Sequence, residues 1–404
     1  MSNLSSINIG LTKGQENFLM VLLLCISGNP LFTQGETILN RFLYPLAFFL
    51  ILIVYSSKIP TKAWNKTILW CFVLSFIFIG QYIVFKYVTV LGCFNYLLKV
   101  VIGILSAYLL GSRFPMVYLK VMVAISIISF PFFFLNAVGL QFPAISLPMG
   151  RESLIIYTQS SQALLEGSQS GIPRNFGFFW EPGAFAGYLI IAFILFIDEL
   201  DWLIKYKRRD VIILLVALLT TISTTGYLVL SVIVLFYILQ KRKGPGTILL
   251  AIIVVGAMVF AFMRLDFLYN KILAEYTVLE YQDWDTVNLS RFGSVLFDWQ
   301  YIVLHPIVGN GLADITRFSM HIGLSERLGG FGNGFTGAIH ILGVPFMLIY
   351  LIAIYRNRTI EHKWIVLFLI VLLLNGEYYL DYPLFFSLIY VSYGLGNKQS
   401  KLVE

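Results

Sequence analysis

The chain has 404 residues, of which 58% are hydrophobic and only 12% charged, with a mean hydropathy of +0.83; soluble domains carry about 25% charged residues. This balance excludes an ordinary water-soluble domain and predicts a polytopic membrane protein, because apolar runs of about 20 residues, enough for a helix to cross the hydrocarbon core, recur from Phe18 almost to the C-terminus. The net charge of +7 does not argue for a nucleic-acid partner, since the basic residues cluster in short loops, where the positive-inside rule expects them on the cytoplasmic side.

A β-barrel would show short alternating segments, and the sequence lacks them. Cys25, Cys71 and Cys93 lie in apolar runs without CxxC or Cys/His spacing, so neither a disulfide frame nor a zinc site is expected.

The first apolar run, Phe18–Ile26, stops at Gly28-Asn29-Pro30 and reads as an uncleaved first helix, because no well-formed cleavage site follows it. The second, Leu39–Tyr55, ends in a loop with Lys58, Lys62 and Lys66, which places that loop in the cytoplasm. Helices near Thr67–Phe85 and Val88–Leu110 return the chain to Arg113 and Lys120, and a fifth runs from Met116 to Val138. Lys99 falls inside the fourth span, where a charge is costly; it either neutralises a buried acid or faces a partner or water-filled cavity. A polar segment, residues 139–182, then lies outside, and a sixth helix, Gly183–Ile197, leads back to Lys205, Lys207, Arg208 and Arg209.

Val211–Leu239 is almost continuously apolar and as one helix would be about 45 Å long, more than a bilayer needs. Both of its flanks are basic, so two crossings are expected, meeting outside at the turn Thr220–Gly226; the alternative is one long tilted helix. A ninth span, Thr247–Met263, reaches a second and larger outer segment, residues 265–332. A tenth, Gly334–Tyr355, returns to Arg356, Arg358 and Lys363, and spans near Trp364–Tyr379 and Pro383–Tyr393 complete about twelve helices in a single domain, with both termini inside. The termini and short loops then hold 18 of the 28 basic and 7 of the 21 acidic residues, leaving 10 basic and 14 acidic for the outer side and the spans.

Seven of those ten basic residues are arginines: Arg41, Arg151, Arg174, Arg264, Arg291, Arg317 and Arg327. A guanidinium is a rigid fork of donors that matches phosphate oxygens in pairs, so these are candidates for gripping a diphosphate, with salt bridging to Glu181, Asp298 or Glu326 as the plainer use. Glu181 precedes Pro182 at a helix start, where it serves as a cap or, if desolvated, as a general base. Read as a helix, residues 291–305 place Arg291, Ser294, Asp298, Tyr301 and His305 on one polar stripe, as in an amphipathic helix at the membrane interface. Asn333, Gly337 and His340 share a face of the tenth helix, and a neutral His340 there accepts a proton or serves as a structural hydrogen-bonder. Phosphate-loop, dinucleotide-binding and acidic metal–nucleotide motifs do not occur, so nucleotide chemistry is not expected.

Four places resemble the bacterial O-antigen polymerase and ligase superfamily of lipid-to-sugar glycosyltransferases. They are Arg174–Pro182, Thr221–Tyr227, Ser290-Arg291 with His305-Pro306-Ile307-Val308-Gly309-Asn310-Gly311, and Asn333 with Gly343. In the ligases the position before Asn333 is typically a His; here it is Gly332, which tilts the resemblance towards the polymerases.

The resemblance implies a GT-C-like polymerase/ligase fold in the bacterial inner membrane. It implies transfer of a growing glycan from undecaprenyl diphosphate to a second undecaprenyl-diphosphate-linked oligosaccharide at the periplasmic face. It also implies membrane lipid as a partner, with room for a chain-length regulator protein, and no metal, soluble cofactor or nucleic acid. Arg174 and Arg291 are expected to steady the leaving diphosphate, with His340 or Glu181 as base; Arg151, Arg264, His305, Asn333 and Arg317 are expected to bind substrate. The alternatives are an O-antigen ligase, or a flippase or transporter of lipid-linked oligosaccharide, although no internal repeat pairs the two halves.

Overall fold

A computed structural model describes residues 10–33, 38–140, 142–147, 151–160, 173–241, 291–320 and 333–394. The described chain is mostly helical. Its first half comprises α1 (Lys13–Gly28), α2 (Pro30–Thr33), α3 (Ile38–Tyr55), α4 (Thr61–Phe85), α5 (Val90–Leu110) and α6 (Phe114–Ala137). A small antiparallel sheet follows, β1 (Ile145–Leu147), β2 (Arg151–Ser153) and β3 (Thr158–Ser160), in the order β1-β2-β3. Then come α7 (Pro182–Leu195), α8 (Leu200–Tyr206), α9 (Arg208–Thr220), α10 (Thr224–Lys241), α11 (Arg291–Leu304) and α12 (Asp314–Arg317). The last are α13 (Gly334–Leu342), α14 (Val344–Tyr355), α15 (Lys363–Gly376) and α16 (Pro383–Ser387).

Among the described residues, three stretches could cross a bilayer by length and composition, 61–85, 90–137 and 224–241; a fourth forms if α7 and Ile197–Tyr206, bent 59° apart, count as one span. The stretch 90–137 is itself two helices, because Gly111, at φ +54° and ψ −130°, breaks it between α5 and α6. Shorter apolar helices cover Phe42–Lys58, Val344–Tyr355 and Lys363–Gly376.

The core forms around α7, whose 14 residues are all buried. Its sequence is apolar on every side, so no face prefers water, and it packs against α6, α9, α10 and α15. A second buried helix, α5, is enclosed by α3, α4 and α16. The outermost helices carry apolar stripes outward: Phe42, Leu46, Phe49 and Ile53 on α3, and Ile68, Phe72, Phe76, Ile79 and Ile83 on α4. Ile53 is 80% exposed and Phe76 73%, a surface that calls for an apolar phase around it and is compatible with a membrane.

The apolar run 211–239 is divided as expected. α9 ends at Thr220, the chain turns through Thr221–Ser223 with Ile222 in the left-handed region, and α10 comes back. The Lys241 ammonium at its far end lies 2.6 Å from Asp201, just before α9, and the Tyr237 hydroxyl donates to the same carboxylate, so both ends of the pair lie on one side.

Elsewhere the chain departs from expectation. The polar segment 139–182 contains the sheet, among described residues that are otherwise mostly helical; Glu152 pairs with Gln159 across β2 and β3, and their side chains bond at 2.8 Å. The expected tenth helix breaks into α13 and α14 at Gly343, φ +84°, because the backbone of Ile307 comes too close there for any side chain. The final expected span, Pro383–Tyr393, is helical only over Pro383–Ser387, and its turn lies against Gly103 of α5, where a β-carbon would meet the Pro383 carbonyl. The expected ninth span, 247–263, lies outside the described residues.

Candidate functional site

The sequence Asn375-Gly376-Glu377-Tyr378-Tyr379-Leu380-Asp381-Tyr382-Pro383 is too polar to extend α15, and Pro383 suits the first turn of a new helix, so the chain turns here. Three neighbours pin that turn. From α5, the Lys99 ammonium meets Asp381 at 2.7 Å and the Tyr96 hydroxyl donates to the Leu380 carbonyl at 3.0 Å. The rings of Tyr44 and Tyr96 face the same ammonium at 4.9 and 5.8 Å. Lys99 therefore neutralises a carboxylate, the first of the two alternatives its position allowed.

On the side of α7 and the polar segment before it, the Tyr379 hydroxyl donates to the Gly183 carbonyl at 3.1 Å, and the Tyr382 ring lies 4.7 Å from that of Trp180. Gly187 is small enough to admit the Tyr379 phenol. Next to Trp180, Glu181 occupies the N-cap position of α7, yet its side chain makes no cap hydrogen bond. Its carboxylate is instead 3.4 Å from the Arg151 guanidinium, on β2. The sheet thus delivers Arg151 to Glu181, and the capping role open to Glu181 is not the one its side chain takes.

On the side of α13, Gly334 lets the start of the helix close onto the Glu377 backbone, and the Asn333 amide donates to Asn375 at 2.9 Å. Asn333 also caps α13, accepting from the amides of Phe335 and Thr336 at 3.0 Å each. One helix face further on, His340 and Asp298 form a pair with no exposed side-chain surface, Nδ1 to Oδ1 at 2.8 Å. Thr336 donates to the other oxygen of Asp298 at 2.5 Å, the His340 Nε2 is 2.9 Å from the Arg317 carbonyl, and the Tyr301 ring stacks on the imidazole at 4.7 Å. A carbonyl only accepts, so Nε2 carries a proton and both ring nitrogens are engaged. Nε2 is thus a donor in this arrangement, and His340 could act as a base only after giving up that proton.

Helix α11 thus turns its polar stripe inward. Ser294, Asp298 and Tyr301 are buried, whereas Trp299 and Val303 point out. The glycines of the 305–311 motif have a comparable structural role. Gly309, φ +68°, sits against the Ile341 carbonyl, and the amides of Asn310 and Gly311 donate to the carbonyls of His340 and Ile341 at 2.7 and 3.1 Å. This motif therefore packs on the helix break at Gly343. His305 rests on the Phe85 ring at 4.8 Å, and burial lowers its imidazole below the ordinary value of 6.5.

Of the residues singled out in the sequence, Arg151 and Glu181 meet each other, and His340 meets Asp298 and the backbone of Arg317. The guanidinium of Arg317 lies 5.0 Å from the Phe318 ring. Arg174 is engaged at the turn between α9 and α10, its Nε donating to the Thr221 carbonyl at 3.0 Å. Arg291 opens α11, and Arg264 lies outside the described residues. Asp381, Glu377, Tyr378 and Tyr382 were not anticipated; an acid close enough to satisfy Lys99 was the available signal, together with two carboxylates among four aromatic or apolar neighbours. Chemically, the arrangement offers a carboxylate beside an arginine, aromatic rings packed on one another, and a neutralised lysine close by. No protein-family model matches the chain, and no curated protein matches it.

Proposed function

We propose that the chain is a polymerase of lipid-linked surface glycans, a multi-pass protein of the bacterial inner membrane with about twelve spans and both termini in the cytoplasm. It transfers a growing glycan from undecaprenyl diphosphate to a lipid-linked repeat unit at the periplasmic face. The observation that supports the reading is the meeting of the polar segment 139–182 and the start of α13 on one tyrosine-rich turn: Trp180 with Tyr379 and Tyr382 beside the N-terminus of α7, and Asn333 with Asn375.

In this reading Glu181 takes the proton of the acceptor hydroxyl as its oxygen attacks the anomeric carbon, and undecaprenyl diphosphate leaves with the bonding electrons. Glu181 is preferred over His340 because its side chain is 30% exposed and is not used as a cap, whereas both imidazole nitrogens are engaged. Arg151 orients the carboxylate. Arg174, Arg291, Arg264 and Arg317 are the candidates to meet the diphosphate, whose growing charge rewards such contacts most in the transition state.

The test is the surface-glycan ladder of a deletion strain complemented with wild type, Glu181→Gln or Arg291→Ala, with membrane insertion verified for each. Collapse of the ladder to a single repeat supports the polymerase. An unchanged ladder with Glu181→Gln removes Glu181 as the base, and loss of all surface glycan points instead to export or ligation.

A further inference from the structure

The hairpin that joins β2 to β3 turns at Leu154-Ile155-Ile156-Tyr157, where the Leu154 amide donates to the Tyr157 carbonyl at 2.8 Å. Gly, Asn, Asp, Pro and Ser are the usual residues of such a turn, because they supply its backbone geometry or bond its free groups and face water readily. Here the two central residues are isoleucines, 64% and 49% exposed. No charged residue occurs from Val121 to Gly150 or from Ser153 to Leu165. The two charges between those stretches are partnered, Arg151 with Glu181 at 3.4 Å and Glu152 with Gln159 at 2.8 Å. The tip of the hairpin therefore shows neither the turn chemistry nor the charge of a loop built for water.

Two contacts fix where the tip lies. The Asn29 side-chain amide, directly after α1, donates to the Ile155 carbonyl at 2.8 Å. Phe132, near the end of α6, stacks on Tyr157 at 5.2 Å and meets Phe142 edge-on at 5.1 Å. Helices α1 and α6 pack on each other, and Glu16 and Arg113 join their starts, so the two run side by side and the tip is level with their ends. On the reading of α6 as part of a membrane crossing, that level is the outer face of the bilayer. The last exposed side chains of α6 and those just after it, Phe134, Leu135, Val138 and Leu140, are apolar as well. A turn has no span to complete, so its exposed isoleucines are not explained by the need of a crossing helix for an apolar side. We propose that Ile155 and Ile156 anchor this hairpin among the acyl chains of the outer phospholipid leaflet, holding the strand that presents Arg151 to Glu181 at the membrane surface. The anchor rests on the membrane reading and is independent of the polymerase.

Ile155 and Ile156 are each replaced by a photo-crosslinking phenylalanine derivative in the full-length protein, which is reconstituted in vesicles of phosphatidylethanolamine and phosphatidylglycerol with tritiated acyl chains. Phe72, 70% exposed on α4, is the lipid-facing control, and the exposed Glu361 is the control in water. Burying one isoleucine side chain favours the inserted tip by about tenfold or more, so phospholipid adduct at both isoleucines is expected near the Phe72 level and about tenfold above Glu361. Ile156→Asp in the protein labelled at Ile155 is expected to lower the adduct severalfold, and Ile156→Leu to keep it. Insertion of each variant is verified, and if one labelled position fails to insert, the other decides. Adduct at the Glu361 level overturns the anchor, as does an Ile155 adduct that ignores Ile156→Asp. Crosslinking to protein in place of lipid also overturns it, because the tip is then covered by polypeptide.

Discussion

Substituting Asp381→Asn leaves the partly buried Lys99 ammonium without its carboxylate. At 2.7 Å the direct attraction is roughly 6 kcal/mol for an effective dielectric constant of 20, most of it offset by the desolvation of both groups. The side chains are 12% and 32% exposed, so the pair is neither fully buried nor screened like a surface bridge. The Tyr44 and Tyr96 rings remain over the cation and retain about 0.5–2 kcal/mol. Breaking the pair from one side is therefore expected to cost about 3 kcal/mol. Lys99→Met in the Asp381→Asn background removes the stranded charge and is expected to recover stability to within about 1 kcal/mol of wild type. The assay is the unfolding midpoint of the four proteins of the cycle in graded denaturing detergent, which isolates the coupling between the two sites. An Asp381→Asn protein as stable as wild type, or a double mutant whose loss equals the sum of the singles, would refute the claim that the two charges stabilise each other.

Three further outcomes are expected. Gly334→Ala puts a β-carbon onto the Glu377 carbonyl, so α13 and the tyrosine-rich turn must separate; a stability loss of about 1–3 kcal/mol, read as a lower thermal midpoint, is expected, whereas Gly10→Ala, where nothing lies within 4 Å, is silent. Burial holds the His305 imidazole below 6.5, so the folded protein resists a proton that the unfolded chain accepts; the associated stability is complete above pH 6.5 and falls as the pH drops towards the folded value. His305→Gln should flatten that acid limb in melts at stepped pH, and an unchanged slope places the proton elsewhere. Ile222 is β-branched at φ +49°, so Ile222→Gly relieves about 1 kcal/mol of backbone strain and raises the melting temperature; a fall would mean that its side-chain contacts outweigh the strain.

Charge made the middle of the chain legible. Basic residues at both flanks of 211–239 demanded a return, and the Thr/Ser-rich stretch between them was the place where hydroxyls could satisfy a turned backbone. There the Thr220 and Thr221 hydroxyls do donate to the carbonyls of Ala217 and Leu218. Lys99 was legible in the same way, as a charge that needed an answer, but the identity of Asp381 was not, because 282 residues separate the two and only packing brings them together. The break at Gly343 was hidden for a different reason. The run 334–355 reads as continuous apolar helix, and the cause of the break lies in Ile307 and Gly309, a distant segment whose backbone must reach that point.

The same distance between pattern and cause decides how α11 is read. Periodicity finds its polar stripe correctly but cannot say which side of the helix faces the protein. For a helix in water the polar side faces out. Here Asp298, Ser294 and Tyr301 face in, because α13 offers His340, Thr336 and the glycine at 337 to receive them, while Trp299 and Val303 face out. Such an inversion is stable only if two conditions hold together: the buried carboxylate is fully partnered, and the outer face is covered by something apolar. The first is met by an imidazole and a hydroxyl on the two oxygens of Asp298. On the proposed membrane reading the second ties the helix to the bilayer, so that moving the protein from bilayer to water should loosen α11 before it loosens α7, whose residues are all buried. Hydrogen exchange in vesicles and in a mild detergent reads that order directly, and equal protection of the two helices in both media would break the link between the inverted stripe and the bilayer.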